Sequence, residues 1–166
     1  MKIFITNLGK YTEGYLIGKW VKLPVSEDKL NEVLEAIGIN EYYEEYFITD
    51  YENDIVGIGD VISEYSSVQA LNELAQRLED LSDDEADKLG AVLEYEACRS
   101  VSDVLELLDK LDEFDLLTDV TDDEELGYYY AEEYCCIDIP EHIQPYFDYE
   151  KFGRDVRLQS SCLYTS

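Results

Sequence analysis

The distribution of acidic residues constrains this chain more than any other feature of its sequence. Two stretches, residues 31–76 and 111–150, carry 11 and 14 acidic residues and contain no lysine or arginine. We call them the first and second acidic tracts. The chain of 166 residues holds 40 acidic and 12 basic residues, a formal net charge of −28. Residues 1–30 and 151–166 each carry a net charge of +2, so the negative charge belongs to the body of the chain.

This charge excludes several classes of protein. Nucleic acids and anionic membranes both attract lysine and arginine, so we expect the chain to bind neither. Disorder often accompanies high net charge, but 46% hydrophobic and 13% aromatic residues suffice for a core, or for two or three small ones. No stretch approaches the ~20 apolar residues of a membrane span. The N-terminus becomes polar too early for a signal peptide.

The four cysteines follow neither a disulfide framework nor a C-x-x-C spacing: Cys98, Cys135, Cys136 and Cys162. We therefore expect reduced thiols in a cytoplasmic protein. A redox pair formed by the adjacent Cys135 and Cys136 is a minor alternative.

Hydrophobic periodicity and turn residues predict a β–β–α–β module over residues 1–60. Strands are expected over 2–6, 15–23 and 45–51, with a turn at 7–14. Ser26 is a plausible N-cap for the helix, and Gly38 is a natural residue to follow its C-terminus.

Residues 61–111 predict a helical module. The first helix follows Ser67, the second begins at a capping box formed by Ser82 and Glu85, and Ser102 is expected to cap the third.

Residues 112–166 predict a second α+β module. We expect a strand over 114–120, a helix that a Thr121 capping box opens and that runs to about Tyr134, a short helix at Pro140 that Pro145 interrupts or restarts, and a final strand over 155–164. The predicted fold is therefore α+β, an elongated chain of three small modules.

The sequence offers little support for catalysis or a cofactor. Phosphate-binding glycine loops are missing, and the single histidine, His142, excludes a histidine-rich zinc site. Any two of the 40 acids could form a catalytic carboxylate pair, but none stands out. An enzyme of that kind stays an open alternative.

The negative charge itself is a candidate for the functional feature. Like charges at helical spacing cost about 0.2–0.5 kcal/mol each, so a fold that accepts them along most of its length gains from presenting them. Duplex DNA carries one charge per about 1.7 Å, and −28 corresponds to about 48 Å, or roughly 14 base pairs. Carboxylates could stand where phosphates stand in the groove of a DNA-binding protein. A merely soluble or halophilic acidic surface is the alternative.

Three groups of residues resemble the ArdA antirestriction family, in the same order and at compatible spacing. They are Asn7-Leu8-Gly9-Lys10-Tyr11-x-Glu13-Gly14 followed by Gly18-x-Trp20, Tyr43-Glu44-Glu45-Tyr46 with Asp50-Tyr51-Glu52, and Tyr146-Phe147-Asp148-Tyr149-Glu150-x-Phe152-Gly153-Arg154-Asp155. The resemblance implies a homodimeric DNA mimic that inhibits type I restriction–modification enzymes by occupying their DNA-binding surface. It also implies carriage on conjugative plasmids or transposons, and neither catalysis nor a cofactor.

Acidic residues from the body of the chain are expected to form the mimicking surface: Glu41, Glu44, Glu45, Asp50, Asp54, Asp60, Asp83, Asp84, Glu85, Asp112, Asp115, Asp119, Asp122, Asp123, Glu124, Glu125, Glu132 and Glu133. Apolar candidates for a dimer contact in the C-terminal module are Phe114, Leu116, Leu117 and Val120. The alternative function is an acidic module that binds another basic DNA-binding protein, such as a nucleoid protein or a repressor.

Overall fold

A three-stranded antiparallel sheet forms the N-terminal part of the computed structural model, which describes residues 1–134 and 137–164. The central strand β1 (Lys2–Asn7) pairs with β2 (Gly18–Lys22) on one side and with β3 (Tyr46–Glu52) on the other. Ile3 lies opposite Val21, and Ile5 lies opposite Ile48. These four side chains are buried, so one face of the sheet carries the core. All three predicted strands are confirmed.

The predicted turn at 7–14 contains a short helix instead, α1 (Leu8–Thr12). Asn7 is responsible, because its Oδ1 accepts a hydrogen bond of 2.9 Å from the Lys10 amide and so caps this helix. The Asn7 side chain is buried, and its Nδ2 donates to the Ile37 carbonyl at 3.1 Å. The same residue therefore ties α1 to the end of α2 (Glu27–Ala36). Ser26 caps α2, and Gly38 follows with a φ of 83°, both as predicted.

Three helices follow the sheet: α3 (Val68–Glu79), α4 (Asp83–Leu93) and α5 (Val101–Leu108). The caps predicted at Ser67 and Ser82 are confirmed, the latter with its full capping box. The cap predicted at Ser102 is wrong. Ser100 caps α5 instead, because the Asp103 carboxylate accepts from the Ser100 amide at 3.0 Å while the Ser100 hydroxyl accepts from the Asp103 amide at 3.3 Å.

The sheet and these helices share one apolar core. Its fully buried members come from both predicted modules: Ile3, Ile5, Leu23, Ile58, Leu71, Leu74, Leu89 and Val104. The chain as a whole divides into two units, Met1–Asp115 and Leu116–Ser166. The N-terminal and central modules both lie in the first unit, and the finer division into three modules stays a prediction.

The second unit contains α6 (Asp123–Tyr128), a π turn (Tyr129–Glu133), a short 3₁₀ helix (Gln144–Tyr146) and α7 (Tyr149–Ser160). Its predicted α+β character is wrong for the residues that the structure describes. Residues 114–120 form no strand, and the short helix includes Pro145 rather than beginning at Pro140. The N-cap of α6 is Asp122 and not Thr121.

The final strand predicted over 155–164 is wrong, because residues 155–160 form the second half of α7 and residues 161–164 form no strand. Gly153 reads as a stop signal in isolation, but it lies within the helix where α7 contacts α6. A Cβ on Gly153 would lie 1.8 Å from the Asp123 carbonyl oxygen, and one on Gly127 would lie 2.0 Å from the Tyr149 carbonyl oxygen. Glycine at both positions therefore allows the two backbones to touch.

Candidate interface for a basic partner

Most of the acidic residues nominated by the sequence are exposed. Fifteen of the 18 face solvent: Glu41, Glu44, Glu45, Asp50, Asp54, Asp60, Asp83, Asp84, Asp112, Asp115, Asp119, Asp122, Glu124, Glu125 and Glu133. These fifteen side chains therefore lie where a partner could reach them. They occur in both units of the chain.

The other three, Glu85, Asp123 and Glu132, are half-buried and serve the fold. The Glu85 carboxylate completes the capping box of α4, accepting from the amide and the hydroxyl of Ser82 at 2.8 and 2.7 Å. These hydrogen bonds lower the pKa of Glu85.

Asp123 ties α6 to α7 and to the residue Tyr164 that follows it. Its side chain is only 15% exposed, and its carboxylate accepts from Arg157 at 2.7 and 3.2 Å. Tyr164 donates to it at 2.9 Å, and the Arg154 Nε lies at 3.5 Å. The hydrogen bond from Arg157 is the main cause that lowers the pKa of Asp123 to about 2. A carboxylate held in this way has little left to offer a partner.

Glu132 has a similar role within the same unit. Its carboxylate accepts from the Tyr149 hydroxyl at 2.6 Å and from Gln144 at 3.3 Å. The hydrogen bond to Glu132 raises the pKa of Tyr149 to about 12.

Two exposed candidates also support the start of α6. Asp122 Oδ1 accepts from the amides of Glu124 and Glu125 at 2.9 Å each. The Glu125 carboxylate accepts from the amide and the hydroxyl of Thr121 at 2.8 and 2.7 Å. These carboxylates hold the loop before α6 in place while their charge still faces solvent.

Three of the four predicted dimer-contact residues line a groove in the second unit. This second-unit groove has a volume of about 600 Å³, and its lining comprises Leu116, Leu117, Thr118, Asp119, Val120, Asp122, Glu124, Glu125, Tyr128, Tyr129, Glu133 and Tyr149. Phe114, the fourth predicted contact, is half-buried and packs against the core of the first unit. The groove therefore combines aliphatic and tyrosine walls with five carboxylates.

Comparison with known proteins identifies the family. The family model described as "Antirestriction protein (ArdA)" matches residues 3–166, nearly the whole chain. The chain belongs to the ArdA antirestriction family. ArdA proteins are DNA mimics that inhibit type I restriction enzymes, and the family is non-enzymatic. A search of curated proteins found no match.

Membership of the ArdA family confirms the resemblance in the sequence and the antirestriction function that it implied. Among the residues described, no group of three or more His, Cys, Asp or Glu side chains is arranged to hold a metal ion. Every helix of the described part is too short or too polar to cross a bilayer. Cys135 and Cys136, the minor alternative for a redox pair, lie outside the described residues.

Sequence reasoning missed the tyrosines of the groove in this ArdA protein. None of Tyr128, Tyr129 and Tyr149 is among the interface residues predicted from the sequence. In the structure Tyr128 is 52% exposed, and Tyr128, Tyr129 and Tyr149 all line the groove. The interleaving of acids with tyrosines was the available signal, because tyrosine can pack its ring while it still faces water.

Proposed function

We propose that the exposed carboxylates of the two acidic tracts replace DNA phosphates on the DNA-binding surface of a type I restriction–modification enzyme. The observation that carries the proposal is their exposure together with the absence of any lysine or arginine within either tract. A DNA-binding surface is rich in lysine and arginine, because these residues replace the counterions of the phosphate backbone. A protein surface with the same sign of charge can compete for it.

The first acidic tract illustrates the residues that would face such an enzyme. Glu41, Glu44, Glu45 and Asp54 are exposed, and none of their carboxylates takes part in a hydrogen bond or ion pair within the described part of the chain. They can therefore pair with a partner without breaking a contact of the fold. An isolated exposed ion pair contributes only about 0.2–1 kcal/mol, so inhibition should depend on many such contacts together.

A competition experiment tests the proposal. The full chain is titrated into a complex of a purified type I enzyme with a labelled duplex, and DNA release is followed at several salt concentrations. We expect release at low salt and weaker competition as salt rises, because screening reduces the attraction between the surfaces. Failure to release DNA at any salt concentration, with the chain folded, refutes the proposal.

A pair of charge-matched variants tests whether position matters. The first variant replaces Glu41, Glu44, Glu45 and Asp54 by their amides. The control replaces four exposed acids of residues 77–110, where bases are interspersed, by their amides: Glu79, Asp80, Asp87 and Glu106. We expect the first variant to lose more inhibition than the control, and any single replacement to lose little. Equal losses would indicate that net charge alone matters.

We also propose that the chain works as a homodimer, as its family resemblance implies. Light scattering at micromolar concentration should give twice the mass of one chain. A monomer throughout that range contradicts this part of the proposal and leaves the competition result standing. Whether Leu116, Leu117 and Val120 form the contact is a separate question, which variants of the groove address below.

A further inference from the structure

The second-unit groove combines two surfaces that rarely occur together on an acidic protein. The apolar part of the lining has an aliphatic wall, formed by Leu116, Leu117 and Val120. It also has an aromatic wall, formed by tyrosine rings. Five carboxylates belong to the same lining, those of Asp119, Asp122, Glu124, Glu125 and Glu133. A ligand that fills the groove must therefore offer both apolar surface and positive charge.

The tyrosine side of the groove is braced by neighbouring rings. The ring centroids of Tyr128 and Tyr149 lie 5.6 Å apart, and Phe147 contacts the Tyr149 ring edge-on at 4.9 Å. The hydroxyl of Tyr149 is fixed by its hydrogen bond to Glu132. Because these contacts hold the rings before any ligand arrives, binding costs little additional ordering of the chain.

Two carboxylates of the groove, those of Asp119 and Glu124, have no cationic partner among the residues that the structure describes. None of its lining residues is a lysine or arginine. Within residues 1–134 and 137–164, the carboxylates of Asp119 and Glu124 take part in no hydrogen bond or ion pair. Both are exposed and remain able to accept hydrogen bonds from a cation.

Arginine matches these features better than lysine does. Its guanidinium is flat, stacks on aromatic rings and donates paired hydrogen bonds to a carboxylate. Its three methylenes can lie along aliphatic wall while the charged end reaches the acids. Lysine offers a strongly hydrated point charge and gains less from a tyrosine ring.

We infer that the second-unit groove receives an arginine side chain from the DNA-binding surface of the restriction enzyme. The guanidinium pairs with Asp119 and Glu124 and lies against Tyr128, and the methylene stem contacts the aliphatic wall. This inference rests on the proposed function, because it takes the partner to be a basic DNA-binding surface. A second copy of the chain fits the groove less well, since two copies of the groove would bring ten carboxylates into one interface.

The decisive comparison uses two double variants with the same change in charge. Asp119→Asn with Glu124→Gln alters the groove, and Asp87→Asn with Glu79→Gln alters exposed acids of the first unit that lack partners within the described residues. Hydrogen bonds to charged groups contribute about 1.5–3 kcal/mol, so the groove variant should compete with DNA about tenfold less well or worse. The control should lose less than about threefold, since isolated exposed pairs contribute little.

Variants of Tyr128 test the role of the ring. Tyr128→Phe keeps an aromatic face and should compete nearly as well as the unmodified chain. Tyr128→Leu removes that face and should lose about threefold or more, the size of an exposed cation–π contact. Circular dichroism establishes that each variant is folded. If the Tyr128→Leu chain unfolds, the Asp119 and Glu124 pair still decides the question.

A peptide probe separates failure of this inference from failure of the proposed function. Acetyl-Gly-Arg-Gly-amide should shift the NMR signals of Tyr128 and Glu124 more than the lysine peptide does, whether or not the chain releases DNA from the enzyme. DNA release by the unmodified chain, with equal losses in both double variants, overturns the groove inference and leaves mimicry standing. Groove variants that become monomeric in light scattering overturn it also, because a second copy then fills the groove.

Discussion

Replacement of Gly153 by alanine should disrupt the second unit, because the new methyl group meets backbone on the opposite helix. A Cβ there lies 1.8 Å from the Asp123 carbonyl oxygen and 2.6 Å from the Gly127 amide nitrogen. An ordinary carbon–oxygen contact is about 3.3 Å, so α6 and α7 must move apart by about 1.5 Å. No flexible side chain can absorb this displacement, since both obstacles are main-chain atoms.

The energetic cost follows from this geometry and from the size of the unit. Overpacking costs about 1–3 kcal/mol, and a clash with backbone belongs at the upper end. Alanine returns up to about 1 kcal/mol through its higher helix propensity. The net loss is therefore about 2 kcal/mol or more. The second unit spans 51 residues, for which a free energy of unfolding of about 3–8 kcal/mol is typical.

Gly90 provides a matched control for the same substitution. It lies within α4, and apart from its chain neighbours and the nearby backbone of that helix, a Cβ at this position meets no atom within 4 Å. Gly90→Ala should raise the free energy of unfolding by about 0.5–1 kcal/mol. Urea unfolding followed by circular dichroism gives both values, and all chains are compared at the same protein concentration because association makes stability depend on it. Amide hydrogen exchange in α6 and α7 then localises the loss to the second unit.

The reasoning fails if Gly153→Ala is as stable as the unmodified chain, or if it gains stability as Gly90→Ala should. Either result would mean that the two helices do not approach each other at Gly127 and Gly153. Faster exchange confined to α3–α5 would refute it as well, because the first unit contains neither glycine.

Three further predictions concern caps and titrating groups. Ser100→Ala should lower the free energy of unfolding by about 1 kcal/mol in urea, while Ser102→Ala should change it by less than about 0.5 kcal/mol. Because the folded pKa of Asp123 lies near 2, below its usual 3.8, its ion pairs stabilise the second unit above pH 3.8 and lose this effect as the pH falls toward 2. Asp123→Asn should therefore weaken the acid dependence of unfolding. The pKa of Tyr149 is raised from 10 to about 12, so its hydrogen bond stabilises the fold below pH 10 and is lost as the pH rises toward 12. Tyr149→Phe should remove one late step from the tyrosinate absorbance titration.

Each of these predictions has a clear contrary result. Equal losses for the two serine variants would place the cap of α5 elsewhere. An unchanged acid transition in Asp123→Asn would show that its contacts with Arg157 contribute nothing to folding. If Tyr149→Phe removes an early tyrosinate step and leaves the late ones intact, the hydrogen bond from Tyr149 to Glu132 does not raise the pKa of Tyr149.

Local signals predicted the first unit well. Ser26, Ser67 and Ser82 cap helices because a hydroxyl at the right distance from free amides needs only neighbouring residues. The alternation of Ile3 and Ile5 likewise predicts a strand without knowledge of its partners. The error at α5 was also local, because Ser100 and Ser102 each precede apolar residues and only the position of Asp103 selects between them.

The second unit depends on pairs of residues that are distant in sequence. Taken alone, a glycine such as Gly153 indicates the end of a helix. Its role as a contact between helices is recognisable only when Gly127 is known to lie opposite. Asp123 looks like any other acid of its tract until Arg157 and Tyr164 reach it. The exposure of most acidic candidates was predictable from their charge alone. The groove was not predictable, because the strands expected over 114–120 and 155–164 do not form and the second unit therefore has a different fold.

The π turn at Tyr129–Glu133 restricts how the length of this segment can change. The Tyr134 amide donates to the Tyr129 carbonyl at 2.8 Å, which closes a turn one residue longer than that of an α-helix. Deletion of one residue within the turn would restore regular α-helical geometry without turning the flanking residues to another side, because the wider π turn accommodates one extra residue. Relatives that lack one residue here should therefore lack the π turn, and because Tyr129 and Glu133 both line the groove, a gap in an alignment at this point would mark a changed groove wall.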